Sequence, residues 1–146
     1  ELVRHRVASY TQESTRYCSY DKDKFGNEIA VIDLLDGIAY DSKMQNMDGN
    51  AQWLILEEWE SAMKDAEKHY MKMIELGATP QIARSVLPNS TKTTLVISAN
   101  YREWRNILKL RCDKSAHPQI RCVCLLLLEE LKCKIPVVFD DIAADI

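Results

Sequence analysis

The first 17 residues, ELVRHRVASYTQESTRY, carry the most informative pattern in the chain. Arg4, His5 and Arg6 stand side by side, and Ser14 and Arg16 follow within the same short segment. Neighbouring cations repel one another unless an anion lies between them. The planar fork of an arginine side chain matches phosphate oxygens two at a time. The stretch therefore predicts capture of a phosphorylated ligand; the alternative is a solvated strand edge that merely carries charge.

The same pattern resembles the signature of the flavin-dependent thymidylate synthases. Seven residues separate Arg6 from Ser14, and the residues that match the signature are Arg4, His5, Arg6, Ser14, Arg16 and Tyr17. A pattern that fixes several positions at set spacing is far more specific than a single glycine motif. The resemblance also extends to most of the chain from Trp53 onward, so it covers more than the signature.

The resemblance implies a reaction and an assembly. The reaction is reductive methylation of deoxyuridylate (dUMP) to thymidylate (dTMP), with methylenetetrahydrofolate as carbon donor, FAD as hydride carrier and NADPH as reductant. The assembly is a homotetramer whose active sites are shared between subunits. Members of the family carry a substantial segment before the signature, whereas this sequence starts at the signature without a methionine. We therefore expect residues 1–146 to be a single catalytic domain that lacks the N-terminal segment.

The resemblance also assigns site residues. Arg111 is expected to contact the uracil ring as the catalytic residue, stabilising negative charge that develops there. Arg84 is expected to reach the nucleotide phosphate from a neighbouring subunit. The expected dUMP-binding residues are Arg4, Gln12, Glu13, Ser14, Thr15, Arg16, Arg84 and Arg111. The expected FAD-binding residues are Arg4, His5, Arg6, Val7, Gln12, Asn100, Arg102 and Asn106.

Two features qualify this assignment. Ser14 is expected to bind substrate and not to act as a nucleophile, because the sequence places no obvious base beside it, and activation of a hydroxyl normally requires one. The sequence also departs from the family pattern at two positions. Glu1 stands where many members have glutamine, which places a carboxylate near the nucleotide, and Thr11 stands where asparagine is common.

Composition excludes several other functions. A net charge of −3 disfavours a general nucleic-acid binder, which needs a basic surface to displace counterions. Five scattered cysteines without a secretory signal indicate a reducing cytoplasm, with neither a disulfide framework nor a metal site. The longest apolar run, at residues 123–128, is too short to span a membrane.

The hydrophobic pattern predicts an α+β fold, with an antiparallel or mixed sheet flanked by several long helices. Residues 1–9 are expected to form the end of a strand and residues 93–99 a second strand, with one more possible at 29–35 inside a surface excursion spanning 21–50. Helices are expected at 48–76, 81–86, 101–112 and 118–132. Two apolar stripes are expected in the core. The stripe on the first long helix comprises Trp53, Leu56, Trp59 or Glu60, Met63, Ala66, Tyr70, Met73 and Ile74. The stripe on the last helix comprises Val123, Leu126, Leu127 and Leu131, with Glu130 in the same repeat.

Two alternatives remain open at this level. One is a non-catalytic nucleotide-phosphate-binding protein of the same fold that keeps the phosphate loop without holding flavin. The other is an RNA-binding module that uses Arg4, Arg6 and Arg16 as cations and stacks bases on Tyr10 and Tyr17. The acidic net charge counts against the second alternative.

Overall fold

The computed structural model describes residues 1–16, 19–20 and 26–144. Two strands, β1 (Ala8–Gln12) and β2 (Leu95–Ala99), form a small antiparallel sheet. The α-helices of the described residues are α1 (Leu35–Tyr40), α2 (Ser42–Gln45), α3 (Gly49–Glu75), α4 (Pro80–Ala83), α5 (Tyr101–Arg111), α6 (Pro118–Lys134) and α7 (Pro136–Phe139). Short 3₁₀ turns occupy Leu2–Arg4 and Arg84–Val86. The predicted α+β class is confirmed.

The chain divides into two compact units. The first comprises Glu1–Thr11, Leu34–Asn46 and Val96–Ile146, and the second comprises Gln12–Asp33 and Met47–Leu95. Each unit has its own hydrophobic core. The expectation of one catalytic domain stays a prediction.

The core of the first unit is formed by α5, α6, α7 and the residues that follow α7. Leu108, Leu128, Phe139 and Ile142 are each at most 2% exposed, and α1 packs against α6. Arg121 of α6 is also buried. Its guanidinium carbon lies 5.4 Å from the centre of the Tyr40 ring, and its Nε donates to the Cys112 carbonyl at 3.3 Å. A buried cation is tolerated here because an aromatic face and a carbonyl replace part of its hydration.

The second unit is organised by α3, the longest helix among the described residues. The Asp48 side chain accepts hydrogen bonds from the first backbone N–H groups of this helix and so caps it, and Gly77, with φ +92°, follows its end. Tyr70 is fully buried, its ring edge-on to Tyr20 with centroids 5.4 Å apart. The backbone N–H of Ile29 donates to the α3 carboxylate of Glu67 at 2.8 Å. These contacts attach the residues before α1 to α3.

The helix that carries Arg111 begins where the sequence predicts it. The Asn100 side chain accepts a hydrogen bond from the Glu103 N–H at 2.9 Å, so α5 starts immediately after β2. Ile107 and Leu108 are fully buried, and Arg111, one turn further along, is only 13% exposed. Arg102 and Asn106 are exposed. Arg102 and Asn106 therefore lie on an exposed face of α5, and Ile107, Leu108 and Arg111 lie on its buried face.

The predicted core positions of α3 and α6 are partly wrong. Trp53 is 56% exposed, and Tyr70 is the buried residue of α3. On α6, Val123 and Leu126 are 60% and 59% exposed. The buried residues of α6 are instead Arg121, Cys122, Cys124, Leu125 and Leu128. A nearly continuous apolar run has no clear period, so its sequence predicts a helix without fixing which face is buried.

The N-terminal segment and the excursion also differ from expectation. Residues 2–4 form a 3₁₀ turn, and the first strand begins only at Ala8. The excursion holds the short helices α1 and α2, and its predicted strand is reduced to a single antiparallel bridge between Val31 and Thr91. Residues 21–25 lie outside the described part of the chain. Short helices have too few turns to show a period in the sequence.

A bidentate ion pair attaches the segment after α7 to α5. Nη1 and Nη2 of Arg105 each donate to the Asp141 carboxylate at 2.6 Å, and Nη1 also donates to the Val138 carbonyl. Hydrogen bonding to Arg105 lowers the pKa of Asp141 from 3.8 to about 2. Because the folded-state pKa lies below the ordinary value, the pair stabilises the folded state above about pH 4, and that contribution is lost as the pH falls toward 2.

We therefore expect Asp141→Asn to lower the thermal unfolding midpoint at pH 6 by about 1–4 °C, as for a well-formed surface ion pair. The difference from the parent should shrink as the pH is lowered toward 2, where the parent carboxylate is also protonated. The matched control is Asp140→Asn, which removes a neighbouring exposed carboxylate. An Asp141→Asn deficit that is the same at every pH would contradict this assignment.

Candidate functional site

A cavity of about 650 Å³ in the first unit, the Arg111 cavity, lies between residues 4–7 and the C-terminal half of α5. It brings together six predicted site residues: Arg4, His5, Arg6, Val7, Asn106 and Arg111. Glu103, Leu110, Ser115 and Ala116 also line it. Residues more than one hundred positions apart in sequence therefore share one wall.

Arg111 is held in this cavity by contacts on each of its nitrogens. Its Nε donates to His5 Nε2 at 3.0 Å, its Nη2 donates to the Glu1 carbonyl at 2.8 Å, and its Nη1 pairs with the Glu1 carboxylate. On the other side of the imidazole, His5 Nδ1 lies 3.4 Å from Glu103 Oε1. Arginine can only donate, so Nε2 is the accepting nitrogen, and the Nδ1 proton faces Glu103. The result is a chain of contacts that runs from the Glu103 carboxylate through the His5 imidazole and the Arg111 guanidinium to Glu1.

The backbone of His5 is fixed as firmly as its ring. Its N–H donates to the Leu2 carbonyl at 3.0 Å, and the Tyr10 hydroxyl lies 2.7 Å from both the Leu2 and His5 carbonyl oxygens. The Tyr10 hydroxyl therefore stabilises the turn that precedes β1. Because its side chain has this structural role, Tyr10 is poorly suited to stack on a base, as the RNA-binding alternative requires. Tyr17, the other tyrosine of the RNA-binding alternative, lies outside the described residues.

Two further predicted FAD-binding residues, Asn100 and Arg102, do not line the Arg111 cavity. Asn100 lines a shallow neighbouring cavity of about 520 Å³ together with Arg6, Val7 and Ser98. The side chain of Asn100 is already used as the cap of α5. Arg102 is exposed on the first turn of α5 and lines neither cavity.

A separate cavity of about 410 Å³, the Arg84 cavity, lies in the second unit. It is lined by the predicted residues Gln12, Glu13, Ser14, Thr15 and Arg84, together with Thr91, Lys92 and Thr93. Arg16 does not line it, but Arg16 Nε donates to Gln81 Oε1 at 3.0 Å, and Gln81 precedes Arg84 by three residues. A single chain thus brings the signature loop and Arg84 together, which sequence spacing alone does not predict.

Two charged residues of these walls are missing from the sequence-based site. Lys92 adds a second cation to the Arg84 cavity, and Glu103 faces His5 in the Arg111 cavity. Glu103 has a recognisable signal, because it follows the capping Asn100 by three residues, the spacing of a capping box. Lys92 has only its place among polar residues just before β2.

The cysteines nearest to Arg111 are core residues and not nucleophiles. Burial raises the pKa of the Cys124 thiol to about 12 and also raises the pKa of the Cys112 thiol. Both side chains are almost fully buried. A thiol in such surroundings stays protonated near neutral pH and is a poor nucleophile.

The described residues contain no group of three or more histidine, cysteine or acidic side chains that could bind a metal ion. In the same part of the chain, no helix is both long enough and apolar enough to cross a membrane. The two cavities present guanidinium forks, hydroxyls and amides, which are donor groups that match phosphate oxygens.

Comparison with known proteins identifies the class more closely. A family model described as thymidylate synthase complementing protein matches residues 1–137. A flavin-dependent thymidylate synthase from Mycobacteroides abscessus is 33% identical over 141 residues, which cover 97% of this chain and 55% of that protein. One from Pyrococcus furiosus is 33% identical over 131 residues, covering 90% of this chain and 48% of that protein. One from Geobacter sulfurreducens is 30% identical over 141 residues, covering 97% and 54%.

The chain therefore belongs to the thymidylate synthase complementing protein family, and the resemblance seen in the signature is confirmed. The chain spans about half the length of the curated relatives that it matches.

Proposed function

We propose that this chain is part of a flavin-dependent thymidylate synthase, and that it contributes both dUMP-binding and FAD-binding residues to an active site. The observation that carries the proposal is the Arg111 cavity. There the signature residues Arg4 and Arg6 share a wall with Arg111, an arginine that comes from a helix more than one hundred residues later. Such convergence of guanidinium groups favours an anionic ligand, because the cations otherwise repel one another.

The residues of the Arg111 cavity fit FAD by their chemistry. Arg4 and Arg6 are exposed at the cavity and can each offer a fork of donors to a diphosphate, and Asn106 adds an amide. We assign the flavin dinucleotide to Arg4, Arg6, Val7 and Asn106. Asn100 lines the neighbouring cavity together with Arg6 and Val7. Arg102 and Gln12 remain assigned to FAD only through the resemblance. When bound, FAD supplies the hydride for the reduction, and the protein positions and polarises the pyrimidine.

We assign the phosphate of dUMP to the Arg84 cavity. Arg84 and Lys92 supply two cations, and Ser14 and Thr15 supply hydroxyls, a set suited to a phosphate monoester. Ser14 Oγ accepts the backbone N–H of Arg16 at 3.2 Å, so the hydroxyl is part of the turn of its own loop. This supports a binding role for Ser14 over a nucleophilic one.

The uracil ring is assigned to Arg111. Its guanidinium is held on three sides and is therefore already oriented before a ligand arrives. A preorganised cation stabilises the charge that develops on the ring as the pyrimidine ionises or accepts hydride. Methylenetetrahydrofolate as carbon donor, NADPH as reductant, a homotetramer and a cytoplasmic location complete the proposal by analogy with the family.

The test uses the full-length protein, purified and mixed with FAD, dUMP, methylenetetrahydrofolate and NADPH. We expect a yellow protein with a flavin spectrum that forms dTMP from dUMP. A variant with both Arg4→Ala and Arg6→Ala should lose the flavin, whereas the matched control Lys64→Ala, in an exposed ion pair on α3, should keep it. A colourless protein that cannot be reconstituted but still binds dUMP would favour the non-catalytic nucleotide-binding alternative.

A further inference from the structure

We propose that His5 and Glu103 are positioning residues that act through Arg111. This inference rests on the proposed function and assigns to the buried imidazole a role other than direct flavin contact. It is drawn from the line of contacts that runs from Glu103 through His5 to Arg111.

The imidazole has no nitrogen left for a ligand. Nε2 accepts the Arg111 Nε–H at 3.0 Å, and Nδ1 faces Glu103 Oε1 at 3.4 Å. Moreover, His5 is only 4% exposed, while its neighbours Arg4 and Arg6 are exposed. Of the three consecutive basic residues, the outer two are therefore placed to meet a ligand and the middle one points into the protein.

Glu103 is itself well anchored. Its backbone N–H is held by the Asn100 cap at 2.9 Å, and its Oε1 lies 3.4 Å from the Asn106 amide nitrogen. Its side chain is 12% exposed, so its contact with His5 is screened less by solvent than a surface pair. A carboxylate in this place fixes the tautomer and orientation of the imidazole, which in turn presents a fixed acceptor to Arg111.

His5 binds Arg111 only at Nε, so among the described residues the two terminal nitrogens of the guanidinium are held by Glu1 alone. Nε is bound by His5, while Nη1 and Nη2 contact Glu1, whose side chain is 41% exposed and solvent-accessible. A ligand can therefore replace the Glu1 contacts while the His5 contact keeps the guanidinium plane in place. Preorganisation of this kind reduces the entropy lost on binding and keeps the reacting groups aligned.

The test is a double-mutant cycle in the full-length protein. His5→Leu, Arg111→Ala and the combined variant are compared for turnover, for dUMP affinity by calorimetry and for flavin content. We expect His5→Leu to lower turnover and dUMP affinity by about tenfold to a hundredfold, the effect of losing one hydrogen bond to a charged group. Flavin content should stay near that of the parent. In the Arg111→Ala background, His5→Leu should have no further effect, because its target is gone.

Conservative variants separate positioning from packing. His5→Gln places an amide oxygen near the position of Nε2 and should recover most of the loss, while Glu103→Gln should give a smaller defect of the same kind. The matched control is Glu130→Gln, which removes a carboxylate from an exposed pair with Lys134 on α6 and should leave every readout unchanged.

The possible outcomes are distinguishable. If His5→Leu keeps its full effect without Arg111, or removes the flavin while Arg111→Ala retains it, then His5 does not act through Arg111. A parent protein that binds dUMP without forming dTMP would overturn the proposed function alone, and the calorimetric cycle would still decide the role of His5. Absence of dUMP binding by the parent would overturn both.

Discussion

Replacing Arg111 with alanine is expected to lower dTMP formation by about 10²–10³-fold, the usual cost of removing one preorganised electrostatic contact. The fold should survive, because the guanidinium lies at the end of the buried stripe of α5 and not among the core residues, of which Leu108 and Cys112 are examples. Flavin content should also be kept, since Arg4 and Arg6 remain in place. The measurements are turnover at saturating dUMP, the thermal unfolding midpoint and the visible spectrum.

The variant Arg111→Lys tests whether the positive charge alone is enough. Lysine keeps the charge but has no nitrogen at the Nε position, so it loses the hydrogen bond to His5 and the planar fork. We therefore expect Arg111→Lys to be nearly as poor as Arg111→Ala. The control is Lys109→Ala, which removes an exposed cation from the same helix. Near-normal turnover of Arg111→Ala at saturating nucleotide would contradict the assignment of Arg111 to the uracil ring.

Mixing two inactive variants, Arg84→Ala and Arg111→Ala, is expected to restore activity. The two arginines line different cavities. If the proposed tetramer shares its sites between subunits, Arg84 is expected to reach the nucleotide from a subunit other than the one that supplies Arg111. In a random mixture of the two chains, about a quarter of such sites take an intact residue from each contributor. Each parent should be nearly inactive, and co-expressed chains should regain up to about that fraction of the original turnover.

A second pair of variants, Ser14→Ala and Arg84→Ala, serves as the control for this mixing experiment. Ser14 and Arg84 line the same cavity of one chain, so mixing Ser14→Ala with Arg84→Ala should produce no site better than the stronger parent. Subunit exchange is checked by co-purification of differently tagged chains. Confirmed exchange without recovery from the Arg84 and Arg111 pair would count against a shared site and favour one built within a single chain.

The sequence predicts local features of this protein well. The helices expected at 101–112 and 118–132 follow from short-range rules, such as an asparagine that caps one and a proline that begins the other, and both helices are confirmed. The burial of Trp53, by contrast, was predicted wrongly. An amphipathic stripe shows that a helix has an apolar face, but it does not say what lies against that face.

The residues alone also could not predict which side chains distant in sequence meet in the folded protein. The sequence around His5 does not predict a contact with Arg111, and Glu103 is one of many acidic residues in predicted helices. The family resemblance indicated that His5 and Arg111 belong to one site, but it gave no contact between them. The hydrogen bond between their side chains depends on the tertiary fold that brings α5 against the first turn of the chain.

The order in which the two units use the chain has a consequence for folding. The first unit takes residues 1–11, 34–46 and 96–146, so the polypeptide leaves it and returns twice. The signature turn is synthesised about one hundred residues before Arg111, its partner on α5. Closing so long a loop carries an entropy cost that only the late contacts repay, and topologies rich in such contacts fold slowly. His5 therefore lacks its Arg111 partner until α5 has been synthesised, and a chaperone that acts during this interval protects an unfinished first unit.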